Sequence, residues 1–385
     1  MIINFSSAQK YIYNFENKIE RQKLLSLSEF LPYQIIHDSP TVKHYTDWNE
    51  YDKLNLDIYP SSITRKELLL SDYKQIYIQN DSIDGIEVFD EPSNMLIKPE
   101  EHKLIALTLA LSKKIKIDVK DSQLQKIFIY HTVTEKNYIS PINIEINVNE
   151  DATLDMIYLT ESQVESSLIS SVISLNIKRG SQTNFTFISN TPYIYSYIKA
   201  KCEGELNSII FATKSKMAHI EYTTILGKEA RSLFNAKAIG AEGNKIDIKV
   251  SVQHEGIKSY SEGYLKSIAS DKALVVVRGD ASINEAALDS STSIIGRAYI
   301  LGKEAKAIVA PMLEVKTGKV AMAKHSASVS RVPEDLIFYL QNRGLSRKEA
   351  EALLIKSFIE DEKDPQILRN IIEKILTESK IIVSV

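Results

Sequence analysis

The hexapeptide "ILGKEA" occurs twice, from Ile225 to Ala230 and again from Ile300 to Ala305. Looser forms of the same pattern are "INVNEDATL" from Ile146, "LNIKRGSQT" from Leu175 and "VVVRGDASI" from Val275. Each is a β-type run, a turn marked by Gly or Asn, a charged residue, a small residue, and then β-type sequence again. A strand-turn-strand unit returning at irregular spacing predicts a solenoid of stacked β coils. No single coil can bury its own apolar face, so neighbouring coils must stack. Alternation along each strand sends one set of side chains into the coil and the other outward. Short strands of this composition also suit a β-sandwich; the repeated turn favours the solenoid.

Such runs extend from about Ile115 to Val332, among them "KIFIYHTV", "LDMIYL", "TNFTFI" and "IDIKVSVQ". They are rich in Ile, Val, Thr and aromatics and are punctuated by Gly, Asn, Asp or Ser. The chain is therefore expected to be mainly β, with a solenoid core over 113–332. A mixed, largely helical region over 1–112 precedes it and a helical domain over 333–385 follows. In the first region, Ser7 is placed to cap a helix carrying Tyr11, Tyr13, Phe15, Ile19 and Leu24. Further on, "EEHKLIALTLALSKK" is apolar on all sides, which predicts a buried helix. In the last region, Pro333 suits a first helical turn, and Glu334 and Asp335 favour the helix dipole. Gly344 ends that helix, Ser346-Arg347-Lys348-Glu349 is a capping box, and Asp364-Pro365 opens a third helix. There Ile367, Leu368, Ile371, Ile372, Ile375 and Leu376 recur at helical spacing. So wide a stripe suits packing on the other two helices or docking of a partner.

The chain has 385 residues, 44% of them hydrophobic, and a formal net charge of -3. That balance offers no global basic field to collect nucleic acid or an anionic membrane. Cys202 is the only cysteine. One cysteine excludes an internal disulfide framework, a Cys-x-x-Cys pair and a cysteine-rich zinc site, and it suits the reducing cytoplasm. No signal peptide is expected, and no apolar run reaches the roughly 18 residues of a membrane span. The nearest approach to a Walker motif, Gly296 to Lys303, is followed by Glu304 where Ser or Thr is required. His37, His44, His102, His131, His219, His254 and His325 are scattered, none at metal-ligand spacing from another. His254-Glu255 is expected on the surface. No catalytic residue is assigned, and the chain is not expected to be an enzyme.

The junction of strand and helix carries a more specific signal. "KHSASVSRVPEDLIFYLQNRGLSRKEAEALLIKSFIED", from Lys324 to Asp361, resembles the carboxy-terminal signature of the SufB/SufD family of iron-sulfur cluster assembly proteins. The matching positions include His325, Ala327, Ser328, Glu334, Tyr339, Leu340, Arg343, Gly344 and Phe358. Upstream, Pro311 to Glu314 matches a Pro-x-Leu-Glu segment that precedes the histidine strand in that family. The resemblance is specific from about Ile248 to Glu360 and looser before it.

The resemblance implies a parallel β-helix between helical ends. It also implies pairing of SufB with SufD through their β-helices, docking of the SufC ABC-type ATPase on the carboxy-terminal helices, and a transient iron-sulfur cluster at the subunit interface. His325 would then be the cluster-associated residue and a metal ligand only with partner ligands. Pro311, Glu314 and His325 would lie in the subunit interface, and Tyr339 and Phe358 would contact SufC. SufB-like chains carry a cysteine upstream of the histidine and a His-Glu pair. Here no cysteine follows Cys202 and Ser326 stands in place of the glutamate, so the chain resembles SufD more closely. A homodimer in isolation remains open, as do a SufB-type scaffold using Cys202 and a β-helix enzyme acting on a carbohydrate or acyl group. Alternation along the strand places His325 on one face with Ala321, Ala323, Ala327 and Val329. If that face points inward, the imidazole is expected to be partly desolvated.

Overall fold

A computed structural model describes residues 2–33, 45–64, 70–120, 122–162 and 164–381. The predicted solenoid is present, and its strands alternate between two sheets. The first sheet holds β5 (Leu124–Val133), β7 (Thr153–Ser162), β9 (Gln182–Asn190), β11 (Glu205–Thr213), β13 (Arg231–Gly240), β15 (Tyr260–Ala269), β17 (Ser291–Ile300) and β19 (Met322–Ser330). The second holds β4 (Lys113–Val119), β6 (Ile139–Val148), β8 (Leu168–Ile177), β10 (Tyr193–Cys202), β12 (Met217–Leu226), β14 (Lys245–His254), β16 (Leu274–Ile283) and β18 (Lys306–Val315). All of these pairings are parallel. The sheet system starts earlier than position 113: β1 (Lys74–Gln79) pairs parallel with β5. The short strands β2 (Ser82–Asp84) and β3 (Val88–Phe89) pair antiparallel with β1 and β4 and blunt that end of the solenoid.

The recurrent corner has a physical basis, although "VVVRGDASI" from Val275, expected as one of these corners, is the body of strand β16 and contains no turn. Asp151, Gly180, Glu229, Lys258 and Asp289 all have positive φ. The residue after each is small and buried: Ala152, Ser181, Ala230, Ser259 and Ser290. The left-handed residue turns the chain sharply, and the small one tucks beneath the turn as the next strand begins. The two identical hexapeptides serve opposite corners. The first leads from β12 into β13 and the second from β17 into β18. Only the first has a left-handed Glu229, at φ 58°.

Between the sheets, inward side chains stack in columns. Ile220 of β12, Ile248 of β14 and Val277 of β16 are in register and fully buried. Large and small residues alternate where the space demands it. Phe234 of β13 lies in register with Gly263 of β15. A Cβ at Gly263 would fall 1.9 Å from the Phe234 ring. His254 is also inward-facing and fully buried, contrary to its expected surface position. Its two ring nitrogens bond the hydroxyls of Ser259 at 2.7 Å and Ser261 at 2.9 Å. Burial pushes its pKa down to about 4, so the neutral ring is a satisfied core residue.

Both outer faces are covered in part. On the second sheet lie α1 (Phe5–Ile12), α2 (Lys18–Phe30), α3 (Trp48–Asp52) and α4 (Lys103–Leu111) with their loops. Leu104 to Leu111 are all buried, as the apolar run predicts. The helix expected behind Ser7 is instead two helices. Asn4 is the cap, its side chain accepting from the Ser6 N–H at 3.2 Å. The Ser7 hydroxyl instead exchanges 2.8 Å hydrogen bonds with the backbone of Ile58. On the first sheet lie α5 (Glu334–Gln341), α6 (Arg347–Ile359) and α7 (Gln366–Glu378). Pro333 is the cap of α5 rather than part of its first turn. The Ser346–Glu349 capping box is present, with contacts of 3.3 and 2.7 Å. The apolar stripe of α7 packs on outward residues of the first sheet, Phe128, Ile157, Leu159, Ile188, Phe211, Ile239 and Ile268, as well as on its sister helices.

Gly263→Ala is expected to lower stability by about 1–3 kcal/mol, because the buried Phe234 ring has nowhere to move. Denaturant unfolding of the variant measures this, and an unchanged midpoint would contradict the packing.

Candidate functional site

Of the histidines, His37 and His44 lie outside the described residues. His102 caps α4 by accepting from the Leu104 N–H at 3.0 Å, and it stacks on Tyr195. Burial, reinforced by His219, pushes its pKa down to about 3. His131 is fully buried between the hydroxyls of Tyr158 and Ser140, at 2.7 and 2.6 Å. His219 is buried on the outer face of the second sheet. There it meets Thr46 at 2.7 Å and Glu221 at 3.0 Å. Thr46 in turn donates to Asp247, which accepts from Arg278 Nε at 3.1 Å and Nη2 at 2.9 Å in a bidentate pair. These side chains fasten the N-terminal segment onto the second sheet. Among the described histidines, only His325 is exposed.

His325 belongs to β19, the last strand of the first sheet. It lies in register with Ile294 of β17, and Ala323, Ala327 and Val329 lie in register with Thr292, Gly296 and Ala298. Those β17 residues are buried, so the shared face expected from alternation is the inward one. The expected desolvation is nevertheless absent. Every residue from Lys324 to Ser330 is exposed, and Val329 reaches 47%. The reason is that no further coil stacks on this one. β19 and β18 are terminal in their sheets, and neither has a strand on its outer edge among the described residues.

The imidazole is held at the centre of this open end. Its Nδ1 lies 3.1 Å from the carbonyl oxygen of Pro311 on β18. A carbonyl can only accept, so Nδ1 carries the proton. In the neutral ring Nε2 then presents its lone pair, and it has no partner among the described residues. This arrangement can give one nitrogen ligand from one side. Glu314, two residues beyond Met312 on the same strand, is exposed and lies 3.4 Å from Lys316. Sequence reasoning singled out His325 and named Pro311 for the interface, but did not identify the Pro311 carbonyl as the anchor of the ring.

The helical tail presents a second surface. Leu336, Phe338 and Tyr339 of α5 and Leu353 of α6 are exposed, Phe338 at 65%. Phe358 is not part of that surface. It is half-buried and stacks on Tyr299 of β17, with ring centroids 4.1 Å apart. Such a contact contributes about 0.5–1.5 kcal/mol beyond burial and ties α6 to the sheet. The loop between α6 and α7 is anchored more strongly. Lys237 of β13 is fully buried, with its ammonium 2.7 Å from both Asp364 and Asp361, and Lys266 of β15 reaches Asp361 at 2.6 Å. Burial opposes ionisation of Asp361, yet the two ammonium groups hold its carboxyl below the usual range. Removing one partner of such a buried group costs about 3–5 kcal/mol.

Cys202 is sealed in the core at the end of β10, its thiol donating to the Gly204 carbonyl at 3.3 Å. Burial pushes its pKa up to about 12. A trough of about 980 Å³ crosses the uncovered part of the first sheet's outer face, lined by Asp155, Glu262 and Asp361 among others. Each of these carboxylates is already engaged. Asp155 accepts from the Tyr73 hydroxyl at 2.6 Å, and Glu262 from Tyr260 and Tyr264 at 2.8 and 2.9 Å. Asp361 holds the two lysines described above. Among the described residues, no group of three or more His, Cys, Asp or Glu is placed to hold a metal ion, and no helix is long and apolar enough to cross a membrane.

These features can be set beside known proteins. The profile of the family described as "SUF system FeS cluster assembly, SufBD core domain" matches residues 129–358. The chain is 24% identical over 291 residues to the iron-sulfur cluster assembly protein SufB of Bacillus subtilis, covering 71% of this chain and 61% of that protein. It is 26% identical over 202 residues to an iron-sulfur cluster assembly SufBD family protein of Staphylococcus saprophyticus, covering 51% of this chain and 43% of that one. A SufBD family protein of Mycobacterium leprae is 25% identical over 200 residues, which is 50% of this chain and 23% of the relative. The chain thus spans between about a quarter and three fifths of these relatives. The matched region runs from β5 through α6 and contains the open end and its histidine, and this chain belongs to the SufBD family of SUF-system iron-sulfur cluster assembly proteins.

Proposed function

We propose that the chain is a SufD-like subunit of a SufB–SufC–SufD scaffold on which iron-sulfur clusters are assembled, working in the cytoplasm without catalytic turnover of its own. The observation that carries this reading is the imidazole of His325, with a free Nε2, in the middle of an unpaired solenoid end. A SufB-like subunit docking end-on there would complete the ladders of β18 and β19 and enclose the imidazole. Its cysteine would supply the thiolate that this chain lacks, and a transient cluster would be held between the two subunits. Pro311 orients the imidazole in that contact, and Glu314 sits at its margin. The cluster is cargo, passed on after assembly.

The SufC ATPase is placed on the exposed patch of α5 and α6, with Tyr339 and Phe338 as its largest contacts. Phe358 supports this surface from beneath, through Tyr299. The SufB-type alternative through Cys202 loses support because a buried thiol at a pKa of about 12 supplies no thiolate. The enzyme alternative loses support because the trough's carboxylates already serve neighbouring hydroxyls and lysines.

Three outcomes test this reading. In the folded protein at pH 8, Cys202 is expected to resist alkylation until denaturant is added; rapid native labelling would revive the SufB-type alternative. Phe338→Ala and Tyr339→Ala should each weaken binding of the organism's SufC at least about tenfold, since a buried aromatic contributes roughly 1.5–3 kcal/mol. Calorimetric titration measures this, and unchanged affinity in both variants would move the ATPase elsewhere. His325→Ala should leave melting temperature and complex assembly unchanged, because the side chain is exposed and makes one hydrogen bond. Cluster yield in the assembled complex should fall. Wild-type yield would make His325 a bystander.

A further inference from the structure

We infer that the open end of the solenoid selects its partner by charge, favouring a subunit whose end coil is acidic over a second copy of this chain. The inference rests on the end-on pairing proposed above and adds the chemistry of the partner. Charge changes abruptly along the solenoid. Residues 260–290 hold three basic and five acidic side chains, whereas residues 291–331 hold seven basic and two acidic ones, in a chain whose net charge is -3. Both acidic groups of that last stretch are already engaged, Glu304 by Lys272 at 3.7 Å and Glu314 by Lys316 at 3.4 Å. Lys319 meets Asp289 of the preceding coil at 3.5 Å. Arg297, Lys303, Lys306, Lys324 and Arg331 are exposed and form no ion pair among the described residues.

Their placement makes them a rim. Lys303 lies in the corner between β17 and β18, Lys306 opens β18, Lys324 points outward on β19, and Arg331 follows β19. Arg297 of β17 flanks Ser328 of β19. Inside the rim is an apolar floor that includes Val309, Leu313, Ala327 and Val329, with His325 among them and a free strand edge on either side. An apolar centre with unpaired backbone edges fits another β edge rather than a phosphate backbone, and the charged margin then decides which edge. Two copies joined end-on would bring identical basic rims together. Their repulsion is strong within the Debye length, about 10 Å at 0.1 M salt and about 3 Å at 1 M. An acidic counterpart turns the same rim into an attraction.

The test uses the full chain and a charge-reversed form of itself, Lys303→Glu/Lys306→Glu/Lys324→Glu/Arg331→Glu, which carries three basic and six acidic side chains in the same stretch. All four positions are exposed, and the double variant Lys303→Glu/Lys324→Glu repeats the measurement should the fourfold one fail to fold. By sedimentation velocity at about 0.1 M NaCl, each form alone should be monomeric and their mixture should form a one-to-one complex. Raising the salt to about 1 M should weaken the mixed complex at least about tenfold while strengthening any wild-type dimer. A wild-type dimer that is tighter at low salt, or a mixture that associates no better than wild type alone, overturns the charge selection and leaves end-on pairing standing. So does a duplex of about 20 base pairs that binds wild type as tightly as the reversed chain does, since the rim then serves a polyanion. Val329→Arg, placed in both chains, should abolish the mixed complex. A complex that survives it does not form at the solenoid end, and the pairing reading falls with it.

Discussion

A coil of this solenoid can satisfy its backbone N–H and C=O groups only through the coils on either side, because parallel ladders run between coils and not within them. Every strand from β5 to β17 has such a neighbour on both edges. At the first end, two short antiparallel strands blunt the system. At the other end, among the described residues, β18 and β19 keep a bare edge, and no further coil covers the core between them. The exposure of an inward-facing histidine follows directly from that. His325 occupies a column that is buried one coil earlier at Ile294, and it is accessible because no further strand follows among the described residues.

The helical tail is not an independent appendage. Its apolar faces lie on outward residues of the first sheet, and its central loop is fixed by Lys237 and Lys266 through two aspartates. Lys237, Lys266, Arg297 and Ser328 are successive members of one register row, from β13 to β19. The anchored loop and the strand carrying His325 therefore share a continuous hydrogen-bonded sheet. The tail carrying α5 and α6 is thus joined to that sheet by packing and by buried ion pairs.

Much of this was legible in the sequence because it depends on local chemistry. The corner pattern of a charged residue followed by a small one reflects a backbone demand, a left-handed turn and then a tight approach, and it recurs at several corners, though the second hexapeptide turns without a left-handed residue. The capping box at Ser346 and the all-round apolar run before Leu111 are equally local. The misassignments came where a local signal was outweighed by a distant neighbour. Ser7 looks like a cap, but Asn4 lies nearer the helix start and the Ser7 hydroxyl is taken by Ile58, fifty-one residues away. His254 reads as a polar pair with Glu255, yet strand alternation buries it against Ser259 in the following corner and Ser261 of the next strand.

The sequence by itself determined that coils form, where they turn, and which face of each strand is apolar, since these follow from steric limits and period-two alternation. It also grouped His325 with Ala323, Ala327 and Val329 on one face of its strand. Only the tertiary structure decided that the inward face is open there, that Pro311 fixes the ring, and that Phe358 is spent on Tyr299 while Phe338 is left outside. Those outcomes depend on which coil is last and on which surface the tail covers. Both are set by contacts between residues far apart in the chain, and no short window of sequence records them.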